Sequence, residues 1–149
     1  MPSLLVVHHS PGVAMPAMLK AAIEGASQDG LDAVAVEPAI ALEVTTEQFL
    51  GADAYLLATP ANLGYMSGAL KHAFDTTYND LLDTTRGRPF GMLLHGESDT
   101  TGAELAIVKI ATGLGWRPVA APVSLIGPVD DAGRDACHEL GAVLAASTL

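Results

Sequence analysis

Short apolar runs alternate with helix-forming segments along the whole of this chain, and few folds absorb such a pattern. Ser3 to Val7 (SLLVV) is a continuous apolar run ending at His8-His9, and it reads as a strand buried on both faces. Ala14 to Ala26 reads as a helix, with Pro16 in an early turn, where proline is tolerated, and Gly25 near its end. Asp32 to Glu37 alternates and is β-branched, so it predicts a strand. Ala39 to Leu50 reads as a linker and a short helix capped by Thr45 or Thr46. Asp53 to Thr59 predicts a buried strand stopped by Pro60, and Ser67 to Tyr78 a helix with Ser67 as N-cap. Pro89 to His95 is the next strand, Thr101 to Leu114 a helix stopped at Gly113 and Gly115, Val119 to Ile126 a strand, and Asp131 to Ala146 the closing helix. Strands and helices in alternation, joined by links of ordinary length, predict an α/β fold: a parallel sheet with helices on both faces. No repeat, low-complexity tract or linker interrupts residues 1–149, which read as a single domain.

Charge and cysteine content exclude several classes of partner. Seven Lys and Arg stand against 17 Asp and Glu, a formal net charge of −10. Nucleic acid and anionic membranes are therefore excluded as expected partners, and a bound phosphate must find its donors locally. Cys137 is the one cysteine, so no internal disulfide forms and no zinc spacing exists. His8, His9 and His95 suggest no metal site, because adjacent residues of a strand point to opposite faces. The opening MPSLLVVHHS is too short and lacks the basic flank of a signal peptide, and no apolar run spans a bilayer. A cytoplasmic protein is expected.

In an open parallel sheet, ligands bind beyond the carboxyl ends of the strands. The segments that follow the strands are HHSPGVAMP (8–16), PANLGYMSG (60–68), HGESDTTG (95–102) and GPVDD (127–131), and they hold much of the chain's His, Gly, Pro, Ser and Asn. Functional chemistry is expected at this edge, shared by the first, third and fourth loops. The first loop has one hydroxyl and no Lys or Arg. A helix N-terminus still offers free N–H groups to an anion without side-chain charge. Ser10 can donate its hydroxyl, Gly12 can supply tight geometry, and the N–H groups of Gly12, Val13, Ala14 and Met15 are available, with His9 as a further donor. The competing reading is that Ser10 caps the helix and Gly12 turns the chain. His95 is either a ligand contact and possible catalytic donor or a satisfied hydrogen-bonder at a strand end. A phospho-acceptor receiver is excluded because His8-His9 and Thr59 stand where carboxylates are required. A serine hydrolase is excluded because HGES is not a nucleophile elbow.

The stretch GADAYLLATPANLGYMSGALKHAFD, Gly51 to Asp75, resembles the flavodoxin-like family, and most closely its NAD(P)H-dependent FMN reductase and quinone reductase branch. The resemblance is carried by Thr59-Pro60, Gly64, Met66-Ser67-Gly68, Leu70-Lys71, Phe74 and Asp75. It implies a flavodoxin-like three-layer sandwich with a five-stranded parallel sheet of order 2-1-3-4-5. It implies FMN at the C-terminal edge. The phosphate would meet Ser10 and the backbone through Met15. The ring would lie against Pro60, Ala61, Asn62, Leu63, Gly64 and Tyr65. The fourth loop, with His95, Gly96, Glu97 and Thr101, would contact the ring or the ribityl chain. Tyr65 reads equally as a stacking or a packing residue. The first loop departs from the family in having Val13, Ala14 and Met15 where hydroxyls are common, and the fourth loop has no aromatic to cover the ring.

That uncovered face suits either hydride transfer from a nicotinamide or a wall supplied by a second subunit, and the preferred reading is a reductase that passes electrons from NADH or NADPH through the flavin to a quinone or other small-molecule acceptor. The alternative is a non-enzymatic electron carrier or flavin-storage protein. A homodimer is expected through the helix from Ser67 and its apolar extension Tyr78 to Leu82. Lys71 and Asp75, four apart, read as a structural pair.

Overall fold

A computed structural model describes all residues, Met1–Leu149. In chain order the elements are β1 (Ser3–His8), α1 (Ala14–Ala26), β2 (Ala35–Ile40), α2 (Thr46–Gly51), β3 (Ala54–Asn62), β4 (Tyr65–Met66), α3 (Gly68–Leu81), β5 (Pro89–Gly96), α4 (Thr101–Leu114), β6 (Arg117–Pro118), β7 (Val123–Ile126) and α5 (Asp131–Ala146). The sheet runs β2-β1-β3-β5-β6, with β7 continuing beside β5 and every main pairing parallel. This is the expected order 2-1-3-4-5, with β5 as the fourth strand and β6 and β7 sharing the fifth position.

Alternation along the central strands explains the layers. Leu5, Val7, Tyr55 and Leu57 face a core shared with α2, α3 and α4. Leu4, Val6, Ala54, Leu56 and Ala58 face the opposite core, shared with α1 and α5. All nine are fully buried, as continuous apolar runs in a doubly covered sheet require.

Three expectations are corrected. The second strand lies at Ala35–Ile40 rather than Asp32–Glu37 and contains Pro38. It pairs with β1 alone, and an edge strand tolerates a proline that a central strand does not. The third strand is not stopped by Pro60. It runs on to Asn62 and folds back through Leu63-Gly64 into β4 as a hairpin. The fifth strand is broken between Pro118 and Val123, where Pro122 supplies no N–H to the ladder. The extension of α3 is not a free apolar face. Leu81 is fully buried, and Tyr78 and Leu82 are partly buried against the core.

The N-terminal edge of the sheet is sealed. Tyr55 stacks on Trp116 with ring centroids 4.1 Å apart, and Phe49, Phe74 and Phe90 pack around Trp116 at 6.0–6.1 Å. The polar atoms of this cluster are all partnered. Tyr55 Oη donates to the Phe49 carbonyl at 2.6 Å, and Trp116 Nε1 donates to Thr85 Oγ1 at 2.8 Å. Arg88 Nη1 lies 2.8 Å from the carbonyls of Leu50 and Ala52, where it takes up the open end of α2. The other end of α2 carries a capping box between Thr45 and Gln48.

Helices α1 and α5 touch backbone to backbone. A Cβ on Gly141 would lie 1.9 Å from the Ala22 carbonyl oxygen, and one on Gly25 would lie 1.9 Å from the His138 carbonyl oxygen. Gly141→Ala is therefore expected to force the helices apart and destabilise the protein by about 2–3 kcal/mol, seen as a lower urea midpoint at unchanged slope. A change within about 0.5 kcal/mol would show that the helix pair yields freely. On the same interface Cys137 is fully buried, and burial pushes its thiol up to about 11. A thiol reagent is expected to modify it only after the protein unfolds.

Candidate functional site

Three loops leave the sheet side by side at its C-terminal edge. His8 pairs with Ala58, and Pro60 pairs with His95, so the ends of β1, β3 and β5 are adjacent. The first loop turns at Gly12, whose φ of +75° favours glycine, and a Cβ there would meet nothing within 4 Å. Helix α1 then starts without a side-chain cap: Val13 is the N-cap residue and accepts nothing on its side chain. Ser10 is not the cap. Its hydroxyl lies 2.9 Å from His8 Nδ1. Burial, and then the neighbouring His9, hold the His8 imidazole below its usual range.

The consequence is a row of open donors. The N–H groups of Gly12, Val13, Ala14 and Met15 have no acceptor in the chain. Pro16, the third helical residue, has none to offer. The Met15 side chain is buried in the core, so this residue contributes only backbone. His9 Nδ1 is the one buried side-chain nitrogen or oxygen left without a partner. A buried polar atom without a partner is costly and points to a ligand or a water. Consecutive N–H groups at a helix start suit a phosphate.

The hairpin forms the second wall. Leu63 and Gly64 both have positive φ, at 51° and 75°, as a tight two-residue hairpin turn requires. Its base is locked by Thr59, whose hydroxyl accepts from the Ser67 N–H at 2.9 Å and donates to the Pro60 carbonyl at 2.8 Å. Ser67 in turn caps α3 by accepting from the Leu70 N–H. Its tip is held by α4: a Cβ on Gly102 would lie 1.8 Å from the Gly64 carbonyl oxygen. Asn62, Leu63, Gly64 and Tyr65 are exposed, and Pro60 and Ala61 are half-buried. Lys71 and Asp75 pair at 2.6 Å on the exposed face of α3, away from any chemistry.

In the fourth loop two of the expected contact residues have hydrogen-bond partners within the chain. His95 Nε2 lies 2.7 Å from the Gly127 carbonyl, so its N–H is spent there rather than free to donate to a developing charge. Thr101 Oγ1 is bound to Asp99 at 2.7 Å, and that hydroxyl and the Thr101 N–H hold the Asp99 carboxyl below its usual range. Gly96 is buried and Glu97 exposed.

A cleft of about 490 Å³ opens between these loops and the start of α5. Val13, Ala14 and Ala17 come from α1, His95 and Glu97 from the fourth loop, Gly127 to Val129 from the fifth, and Arg134 from α5. Ser10, Gly12, Met15, the hairpin, Gly96 and Thr101 lie outside its lining. Arg134 has no motif to mark it. It sits one turn into the last helix, and only the packing of α5 beside α1 brings it to this edge. No group of three or more His, Cys, Asp or Glu comes together as a metal site.

The family model for the NADPH-dependent FMN reductases matches residues 19–130. The chain belongs to that family. As a member of the FMN reductase family it is an FMN-binding, NAD(P)H-dependent oxidoreductase, and its open donor row fits the phosphate of that cofactor. The match begins after the first loop. The chain is also similar in structure to a flavodoxin from the domain Archaea, with a TM-score of 0.80 at 16% identity, covering 99% of each chain. It is similar to a WrbA-like flavodoxin from Agrobacterium tumefaciens, with a TM-score of 0.75 at 18% identity, covering 99% of this chain and 98% of that one. A third likeness is to an oxidoreductase from Corynebacterium diphtheriae, with a TM-score of 0.70 at 18% identity, over 99% and 97% of the two chains. At these identities the likenesses show the flavodoxin-like fold. No curated protein sequence matches the chain.

The contact between Gly102 and Gly64 gives a direct test of the hairpin. Gly102→Ala is expected to displace the tip and weaken FMN binding at least about tenfold, measured by quenching of flavin fluorescence. Unchanged affinity would remove the hairpin from the flavin site.

Proposed function

We propose that this FMN reductase holds its cofactor by backbone donors at the first loop and uses it to pass reducing equivalents from NADH or NADPH to a quinone or another small acceptor. The observation that carries the reading is the row of unpartnered N–H groups from Gly12 to Met15. Those groups, with Ser10, would hold the phosphate. Donors of this kind attract an anion through the helix dipole, and they need no positive side chain in a protein that carries a net charge of −10. When bound, FMN supplies the redox chemistry, accepting a hydride equivalent from the nicotinamide and releasing electrons to the acceptor.

The chain's own residues bind and orient. The hairpin from Pro60 to Tyr65 offers the ring an apolar and backbone surface, with the Asn62 amide free to hydrogen-bond its heteroatoms. Tyr65 is 40% exposed at this edge, which leaves its ring face open to stacking. The fourth loop brings no aromatic side chain, so the opposite face of the site stays open to a second planar substrate. No side chain here need act as acid or base toward the nicotinamide, because positioning and electrostatics suffice. The His95 tautomer is set by its bond to Gly127, which makes that imidazole a positioning group for the fifth loop.

Fluorescence titration with FMN and with riboflavin tests the phosphate site. FMN is expected to bind at least about a hundredfold more tightly than riboflavin, which lacks the phosphate. Gly12→Glu, which sets a carboxylate against the donor row, is expected to abolish that difference. Equal binding of the two flavins by the unaltered protein would overturn the assignment.

A further inference from the structure

We propose that the cleft between the starts of α1 and α5 receives the ADP-ribose arm of the nicotinamide dinucleotide, with Glu97 recognising the diol of its adenosine ribose and so favouring NADH over NADPH. This rests on the reading that a nicotinamide dinucleotide is the reductant. The volume of about 490 Å³ lies within the range of pockets that hold small ligands. The lining divides into three chemistries, and each has a counterpart in that arm.

Val13, Ala17, Pro128 and Val129 make an apolar wall suited to the face of a base. Arg134 is the one cation, suited to the diphosphate. Its Nη1 donates to the Val129 carbonyl at 3.1 Å, which points the guanidinium along the fifth loop. Its other partner is Asp131, whose side chain is 96% exposed, so a diphosphate oxygen can take that place at little cost. Glu97 completes the set. Its carboxylate makes no hydrogen bond or ion pair within the chain, as is also true of Glu43, Glu47, Glu104 and Glu139, and it is the one carboxylate on the cleft lining.

An unengaged carboxylate accepts hydrogen bonds from a ribose diol, and it repels a phosphate placed on the same oxygen. His95, 8% exposed on the cleft lining, spends its Nε2–H on the Gly127 carbonyl. The cleft also continues from the loop that borders the proposed flavin site, since His95 and Glu97 belong to both.

Calorimetric titration of ADP-ribose and of its 2′-phosphate into FMN-loaded and FMN-free protein tests the proposal. ADP-ribose is expected to bind both forms, and its 2′-phosphate to bind at least about tenfold more weakly. Glu97→Gln should bring the two ligands within about threefold of each other, and Arg134→Gln should weaken both in parallel. Equal affinities in the unaltered protein would overturn the proposal. So would displacement of FMN by ADP-ribose, which would assign the cleft to the flavin, or failure of ADP-ribose to bind either form. If FMN does not bind but ADP-ribose does, with the same dependence on Glu97, the flavin reading falls and the assignment of the cleft stands.

Discussion

A parallel sheet buried on both faces leaves only its two ends for chemistry, and this constraint organises the molecule. Strands β1, β3 and β5 are covered by α1 and α5 on one side and by α2, α3 and α4 on the other. Every backbone group in their interior is committed to the ladder. Unpaired donors and acceptors therefore collect where strands give way to helices. The two ends then receive opposite treatments.

At the N-terminal end the groups are satisfied internally. Trp116 anchors an aromatic cluster, and Arg88 gathers the carbonyls at the end of α2. At the C-terminal end they are left open. Helices α2, α3 and α5 are capped by Thr45, Ser67 and Asp130, but α1 and α4 have no side-chain cap. A cap satisfies an N–H that would otherwise need water or a ligand. Both uncapped helices start at the edge that carries the candidate site. A site made of backbone donors also explains how a strongly acidic chain can hold an anion: the attraction is local and directional, while the net charge acts diffusely and is screened by salt.

Glycine serves two different physical ends in this architecture. At Gly12 and Gly64 it permits positive φ, which lets the first loop and the hairpin turn tightly beside each other. At Gly25, Gly141 and Gly102 it removes a side chain where another backbone passes, which seats α5 on α1 and α4 on the hairpin tip. The second use determines the site as much as the first. The seating of α5 brings Arg134 to the cleft, and the seating of α4 fixes the wall opposite the first loop.

The sequence by itself determined the alternation of strands and helices, the bounds of α1, α4 and α5 to the residue, and the edge at which a ligand is expected, while the sheet order came with the family resemblance. Those features follow from local periodicity, from caps such as Ser67, and from the rule that ligands meet parallel sheets at the carboxyl ends of strands. The Thr59-Pro60 and Met66-Ser67-Gly68 signals also marked the third loop correctly as special. Its form was not legible, because Pro60 looks like a stop until β5 and the returning β4 are both in place. The tertiary structure alone decided which donors stay free. Ser10 turned to His8 and Thr101 to Asp99, each a close neighbour in sequence, while His95 turned to Gly127, which only folding brings near. It also decided that Arg134 and Glu97 share a cleft, since residues 37 positions apart meet only through the packing of α5 beside α1 and β5. Periodicity records which face a residue turns to its own core, and it carries no information about which distant polar group will be waiting there.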